Sequence, residues 1–435
     1  MPAVSAPDTS CVGPHAQEDY DLADVIVLGA GIVGVSTAIH LQRRGRSVLL
    51  LDRREPGRET SFGNAGIIQK EGVRPHEFPR DLKILLRAAL NLGIDVRYDP
   101  LALPSYAPAL ARYWWHSAPG RYRKIVADYA PLIAHAVSEH ADLIEASGAQ
   151  HLIRKQGWFW LCRTAAARDE IFAEAETDEA LYGVRHRKLD ADAVAEAEPH
   201  LRIRTAGALH WTEPWTVRDP GALVDAYVAL FRALGGTVAI GDAQTLKASG
   251  KGWTADAADG PAEAAEVVVA LGPWAGHLMR RLGYRLPLFI KRGYHMHYRA
   301  ASGATLDNWI LDAEKGYLLA PMQKGIRLTT GAEFAAHAAP QTTVQLDGAE
   351  RVARDLFPLG ERVDPSPWMG ARPCTPDMKP IIGPAPLHKG LWLAIGHAHH
   401  GLTLGPATGR LLAQQMTGET PFLNLAPFGA ERFMR

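Results

Sequence analysis

Cysteine is scarce. Three residues, Cys11, Cys162 and Cys374, stand in a chain of 435. They are too few and too widely spaced for a disulfide framework, and none has the spacing of a zinc site, which points to a reducing compartment. An excess of one charge is also lacking. Lys+Arg and Asp+Glu are equal at 47 each, so no global field recruits nucleic acid or an anionic membrane. No apolar run approaches the roughly 18 residues of a membrane helix, and there is no repeat or low-complexity segment. Residues 1–23 have neither a basic start nor an apolar stretch. They read as a disordered extension rather than a secretory signal. The expected location is cytoplasmic, with peripheral contact at the cytoplasmic face of a membrane left open. A chain of 435 residues exceeds one ordinary core, so two domains are expected.

What is present is concentrated first in Val25 to Arg53. An apolar run stops at Gly29-Ala30-Gly31-Ile32-Val33-Gly34, a helical pattern runs to about Arg44, and a second apolar run ends at Asp52-Arg53. This is a βαβ unit with a dinucleotide fingerprint. Gly29 suits the tight turn, Gly31 lets backbone approach a pyrophosphate, and Gly34 lets helix pack on strand. The helix N-terminus offers free N–H groups to phosphate. Asp52 can accept two ribose hydroxyls and would repel a 2′-phosphate. The following segment, Glu59 to Gly66, is small and polar. Ser61, Asn64, Ala65 and Gly66 read as cofactor contacts, in competition with an ordinary loop capped at Thr60 or Ser61.

Pro79 to Leu92 carries an apolar stripe bordered by Lys83 and Arg87. It reads as a core-facing helix or as a membrane-surface helix. Further helices are expected within Ala107–Trp115, Tyr129–Ser147 and Ala165–Leu181, and Trp114, Trp115, Trp158 and Trp160 as core. Asp219-Pro220 marks a helix start. Glu266 to Leu271 reads as a buried parallel strand broken at Gly272, next to a ligand. From Leu286 the pattern becomes short β runs with turns, a second domain built on an antiparallel sheet.

Arg372-Pro-Cys-Thr-Pro-Asp377, Pro380-Ile-Ile-Gly383 and Ala394 to Gly409 resemble the FAD-dependent D-amino-acid oxidase superfamily. The Glu59–Gly66 segment most resembles its D-amino-acid dehydrogenase branch. The resemblance runs from about Val25 to the C-terminus. It implies an α/β fold of two domains. One is a glutathione-reductase-like FAD domain assigned to 24–105, 200–283 and 366–435, and the other a substrate domain, mainly antiparallel, assigned to 106–199 and 284–365. It implies oxidative deamination of a D-amino acid to a 2-oxo acid and ammonia, with electrons passed to a quinone or other carrier. A secondary amine, such as D-hydroxyproline or an N-methyl amino acid, is the alternative substrate, and a noncatalytic FAD scaffold the alternative class.

The same resemblance assigns roles. Arg372 clamps the substrate carboxylate, since a planar guanidinium binds it bidentately; a structural salt bridge competes. Tyr294 adds a hydrogen bond unless it is a core tyrosine, and Tyr317 has a weaker version of that case. His399 stands where a second basic group is expected. Gly401, Leu402 and Thr403 bring backbone N–H groups and a helix N-terminus to the flavin. His397, His399 and His400 lack an acidic companion and suggest no metal. Cys374 raises a covalent tether, but its register does not match, so noncovalent FAD is expected.

Overall fold

A computed structural model describes residues 23–250, 252–301 and 303–434. The expected N-terminal extension, apart from Ala23, lies outside the described residues. The βαβ unit forms as its sequence dictates: β1 Ala23–Leu28, α1 Ile32–Gln42 and β2 Val48–Asp52. β1 sits between two parallel neighbours, with Leu28 beside Leu51 of β2 and Val269 of the strand Gly260–Val269. Covered on both faces, β1 is apolar from Val25 to Leu28 rather than alternating. Strands Thr237–Ser249 and Leu391–Ile395 extend the parallel sheet, and Ile381–Pro384 closes one edge antiparallel. An antiparallel meander through Gly252–Ala257 links Thr237–Ser249 to Gly260–Val269. α1 packs against the helix Gly401–Met416 at glycine contacts, where a Cβ on Gly409 would come within 2.7 Å of the Ser36–Thr37 backbone. The two helix N-termini are thereby brought to the same side of the sheet.

The second sheet has eleven strands, organised around the long strand Phe289–Ala300. That strand pairs antiparallel with Gly325–Thr329 and with Trp368–Cys374. Sheet membership departs from the expected boundaries at three places. Val96–Tyr98, Gly207–Trp211 and Trp368–Cys374 all join this second sheet. In each case pairing partners far along the chain decide the outcome.

Asp219 caps Pro220–Ala233 as expected, its side chain accepting from Ala222 N. The Tyr129–Ser147 region starts earlier and is two helices, Pro119–Ala134 and Ala136–Ser147, meeting at His135 soon after Pro131, which has no N–H to give. Two core expectations fail. Leu82–Ala89 has no buried residue, with Leu82 68% and Leu86 54% exposed. Trp114 and Trp115 are also exposed, stacked by the guanidinium groups of Arg80 and Arg121. Trp158 is core as expected, while Trp160 is half-buried. Among the described residues, no helix is long and apolar enough to cross a membrane.

Candidate active site

One cavity of about 1620 Å³ runs between the two sheets. At one end lie the glycine turn and Asp52. Gly29 has φ +103°, and any Cβ there would strike Ala270 O at 2.5 Å, so only glycine serves. A Cβ on Gly34 would sit 1.8 Å from Gly29 O. Asp52 accepts from Ala30 N and Arg53 N, each at 2.7 Å, which fixes the carboxylate at the cavity wall. Ser61 Oγ accepts from Ile32 N at 3.0 Å.

The middle of the cavity meets two helix N-termini. α1 begins at Ile32 and the last long helix at Gly401, and neither has an acidic residue in its first turn or a side-chain cap from its own N-cap residue. Apart from the Ile32 N–H that Ser61 takes, their positive ends are open to an outside anion or acceptor. Gly31, Ile32, Val33, Gly401 and Leu402 line the cavity there, and Arg53, Ala65 and Gly272 line it nearby. Ala30, Gly34, Gly66 and Thr403 are not in the wall. They build it: Gly66 has φ +72°, and Thr403 Oγ1 donates to Ile67 O at 3.1 Å. Asn64 lines the wall while its Oδ1 accepts from Gly66 N at 2.9 Å, closing its own loop. Arg327 donates to Asn64 O at 2.5 Å and pins that loop to the second sheet. A turn with no side chain beside two open helix ends and a fixed carboxylate suits a dinucleotide.

The far end is set by the register of Phe289–Ala300 against Trp368–Cys374. Lys291 pairs with Arg372, Gly293 with Gly370, and His295 with Trp368, so these side chains share the face toward the cavity. Arg372 lies over Gly293, where a Cβ would meet its Nη2 at 2.5 Å. Its Nη1 donates to Gly331 O at 2.8 Å and its Nη2 to Thr330 O at 3.4 Å. Among the described residues no acidic group lies within ion-pair distance of Arg372, which lines the cavity. His399 lines the same space, its ring 4.2 Å from that of His76. Desolvation, then His400, His76, Arg372 and Lys291, hold His399 well below the ordinary imidazole range. Desolvation with Lys291 and Arg372 draws His76 down to about 4. Both rings are therefore neutral near pH 7.

Tyr294 and Tyr317 also line the cavity, but their phenol oxygens are engaged away from Arg372. Tyr294 pairs with Met369, one residue out of phase with Arg372, and points to the opposite face. There its phenol donates to Glu333 Oε2 at 2.6 Å and accepts from Arg292 Nη2 at 2.6 Å. The Tyr317 phenol accepts from Arg163 Nη2 at 3.4 Å, beside Asp312. The other histidines of the expected trio are spent separately. His397 Nε2 bonds Thr408 Oγ1 at 3.0 Å, and His400 Nδ1 bonds Tyr129 OH at 2.5 Å. Cys374 lines the cavity with a free thiol, which burial pushes up from its ordinary value.

Sequence reasoning missed Lys291, His76 and Tyr113. Lys291 was within reach, because strand alternation from Gly293 puts it on the cavity face. His76 and Tyr113 arrive from distant segments that carry no local signal.

The comparisons with known proteins agree with this geometry. The family model for FAD dependent oxidoreductases (DAO) matches residues 24–415. The chain is 31% identical over 428 residues to a D-amino-acid oxidase of Bradyrhizobium diazoefficiens, covering 94% of this chain and 99% of that one. It is equally 31% identical over 428 residues to a D-amino acid dehydrogenase of Rhizobium johnstonii, with the same coverage of 94% and 99%. Among solved structures, glycine oxidase from Geobacillus kaustophilus superposes with a TM-score of 0.73 at 22% identity, covering 94% of this chain and 98% of that one. A fold of two domains, a fingerprint that fits FAD and a family match across nearly the whole length establish that the chain belongs to the DAO family of FAD-dependent oxidoreductases, enzymes of amino-acid oxidation.

Proposed function

We propose that the protein is a D-amino-acid dehydrogenase, converting its substrate to a 2-oxo acid and ammonia and passing the electrons to a quinone or other carrier. The observation that carries this reading is Arg372, a guanidinium without an acidic partner, facing a cavity that also holds the dinucleotide turn. FAD, when bound, supplies the two-electron acceptor for the hydride. Arg372 binds the α-carboxylate and so fixes which face of the α-carbon is presented. His399, neutral and beside Arg372, favours an uncharged amine, the form from which hydride can leave. The helix end at Gly401 and Leu402 favours negative charge developing next to it. FAD is read as noncovalent; acid precipitation should leave the yellow colour in solution.

The surface supports a lipid-dissolved carrier. The helix Leu82–Ala89 lines the cavity with Leu85, Ala88 and Ala89, and shows Leu82, Leu86 and Leu90 to solvent beside Lys83 and Arg87. An apolar face bordered by bases suits the interface of an anionic bilayer.

The test is anaerobic bleaching of the flavin by a panel of D-, L-, N-methyl and cyclic amino acids. Bleaching by primary D-amino acids is the expected result. Faster bleaching by a secondary amine, or by L-amino acids, would overturn the assignment. Hydrogen peroxide release in air at the same rate would replace the carrier by O₂.

A further inference from the structure

Lys291 is a second cation in the substrate end of the cavity, and the reading above gives it no task. It stands directly opposite Arg372 across the antiparallel pair. Like charges in that arrangement repel and destabilise the sheet. The two side chains diverge. Arg372 folds over Gly293, whereas Lys291 Nζ lies 3.3 Å from Tyr113 OH and 4.5 Å from the centre of the Tyr113 ring. The Phe289 and Phe334 rings stand 5.9 Å away. Tyr113 donates its own hydrogen to His76 O at 2.7 Å, so it can accept from Lys291 but brings no charge. Among the described residues, the ion pairs of the chain include neither Lys291 nor Arg372, although most other half-buried cations of the core have an acid beside them. Aromatic walls keep the local dielectric low, so the missing anion matters more here than at the surface.

We propose that Lys291 recognises a second acidic group on the substrate, so that the preferred substrates are dicarboxylic amino acids, with the α-carboxylate on Arg372 and the distal carboxylate on Lys291. This rests on the D-amino-acid reading of the site. Gly293 is what allows it: with no side chain there, the Arg372 guanidinium lies over the strand at Gly293 while Lys291 turns to Tyr113, which gives two separate anion positions. A distal carboxylate would accept from Lys291 Nζ and lie against Tyr113. A neutral side chain would leave that ammonium desolvated and unpaired.

The test compares each acid with its amide, which has the same shape. D-glutamate against D-glutamine, and D-aspartate against D-asparagine, are measured by anaerobic flavin reduction with the holoenzyme. The acids should be preferred at least tenfold in apparent Kd. Lys291→Met should lower that preference at least tenfold, and Lys291→Arg should restore most of it. A measurement that needs no turnover uses the flavin spectrum of the wild-type holoenzyme, titrated with glutarate and with pentanoate; glutarate should bind more tightly. Reduction by D-amino acids with no acid preference would overturn this proposal and leave the D-amino-acid reading standing. An equal loss for acid and amide in Lys291→Met would also overturn it, because Lys291 would then share the α-carboxylate or only hold Tyr113. Failure of every D-amino acid to reduce the flavin would sink both.

Discussion

Two cations one residue apart on the strand Phe289–Ala300 meet opposite fates. Arg292 points away from the cavity and is fully enclosed. Its Nε lies 3.0 Å from Glu333, its Nη2 donates to Tyr294 OH, and its Nη1 donates to Ala339 O at 2.9 Å. Lys291 points into the cavity with a phenol and aromatic rings for company. A strand alternates its faces, so adjacent residues can serve different purposes. On one face Arg292 and Glu333 answer each other within the protein, as permanently buried charges must. On the other, Lys291 and Arg372 have no acid within ion-pair distance among the described residues and meet only carbonyl and phenol oxygens. On the function proposed above, the difference separates charges that hold the fold from charges that serve the ligand.

The largest expected effect comes from breaking the answered face. Glu333→Ala leaves Arg292 buried without its acid, and Tyr294 without an acceptor. Removing one partner of a buried pair costs about 3–5 kcal/mol, so denaturant unfolding of the holoprotein should show a loss of that order. A loss below about 1 kcal/mol would mean that this face is not the structural one.

Arg372→Met tests the open face. Deleting a cation without an acidic partner should leave unfolding free energy unchanged or raise it slightly. Catalysis should suffer instead. Losing a bidentate, charge-assisted contact is worth roughly 3 kcal/mol, so kcat/KM should fall about a hundredfold or more, with FAD still bound. Loss of stability matching that of Glu333→Ala would erase the contrast between the faces.

Glu71 is an intermediate case, a carboxylate answered by donors but by no cation. It accepts from Trp158 Nε1 at 2.8 Å, Gln69 Nε2 at 2.9 Å and Lys70 N at 2.9 Å. Burial nevertheless pushes its pKa from 4.5 up to about 7. Between those values the folded protein binds more protons than the unfolded chain. Stability from this group is therefore full below 4.5 and is lost as pH rises toward 7. The loss is at most about 3 kcal/mol. Glu71→Gln, which keeps the uncharged form, should flatten the pH dependence of unfolding between pH ~5 and ~7 and be more stable than the wild type at pH 8. An unchanged slope would show that neighbouring donors fully compensate the buried charge.

How far the chain could be read before its structure follows from the same strand. The βαβ unit is local: turn, helix and both strands lie within Ala23–Asp52, and each step has its own residue signal. The motif singles out Arg372, and the structure places that residue at the cavity wall. For Tyr294, only the pairing register decides which side of the strand its phenol reaches. Lys291 sits opposite Arg372, and Tyr294 opposite Met369, through contacts separated by about eighty residues. His76 and Tyr113 reach the cavity from a loop and a helix whose sequences say nothing about where they dock. The stripe of Leu82–Ala89 was seen, but periodicity reports that a face is apolar, not what covers it.

That stripe offers the smallest effect on the fold and extends the comparison to apolar groups. The leucines of the core are enclosed, whereas Leu82 and Leu90 are 68% and 67% exposed. They answer no partner within the protein, as Lys291 answers no acid. Leu86→Glu should change unfolding free energy by no more than about 0.5 kcal/mol, the usual range for exposed sites. It should, however, release the holoprotein from vesicles rich in anionic lipid, because a carboxylate placed between Lys83 and Arg87 opposes both insertion and attraction to the headgroups. Wild-type protein should co-float with those vesicles and stay free of neutral ones. A wild-type protein that ignores both kinds would mean the exposed leucines serve no lipid surface, and the carrier would then have to reach the cavity from water.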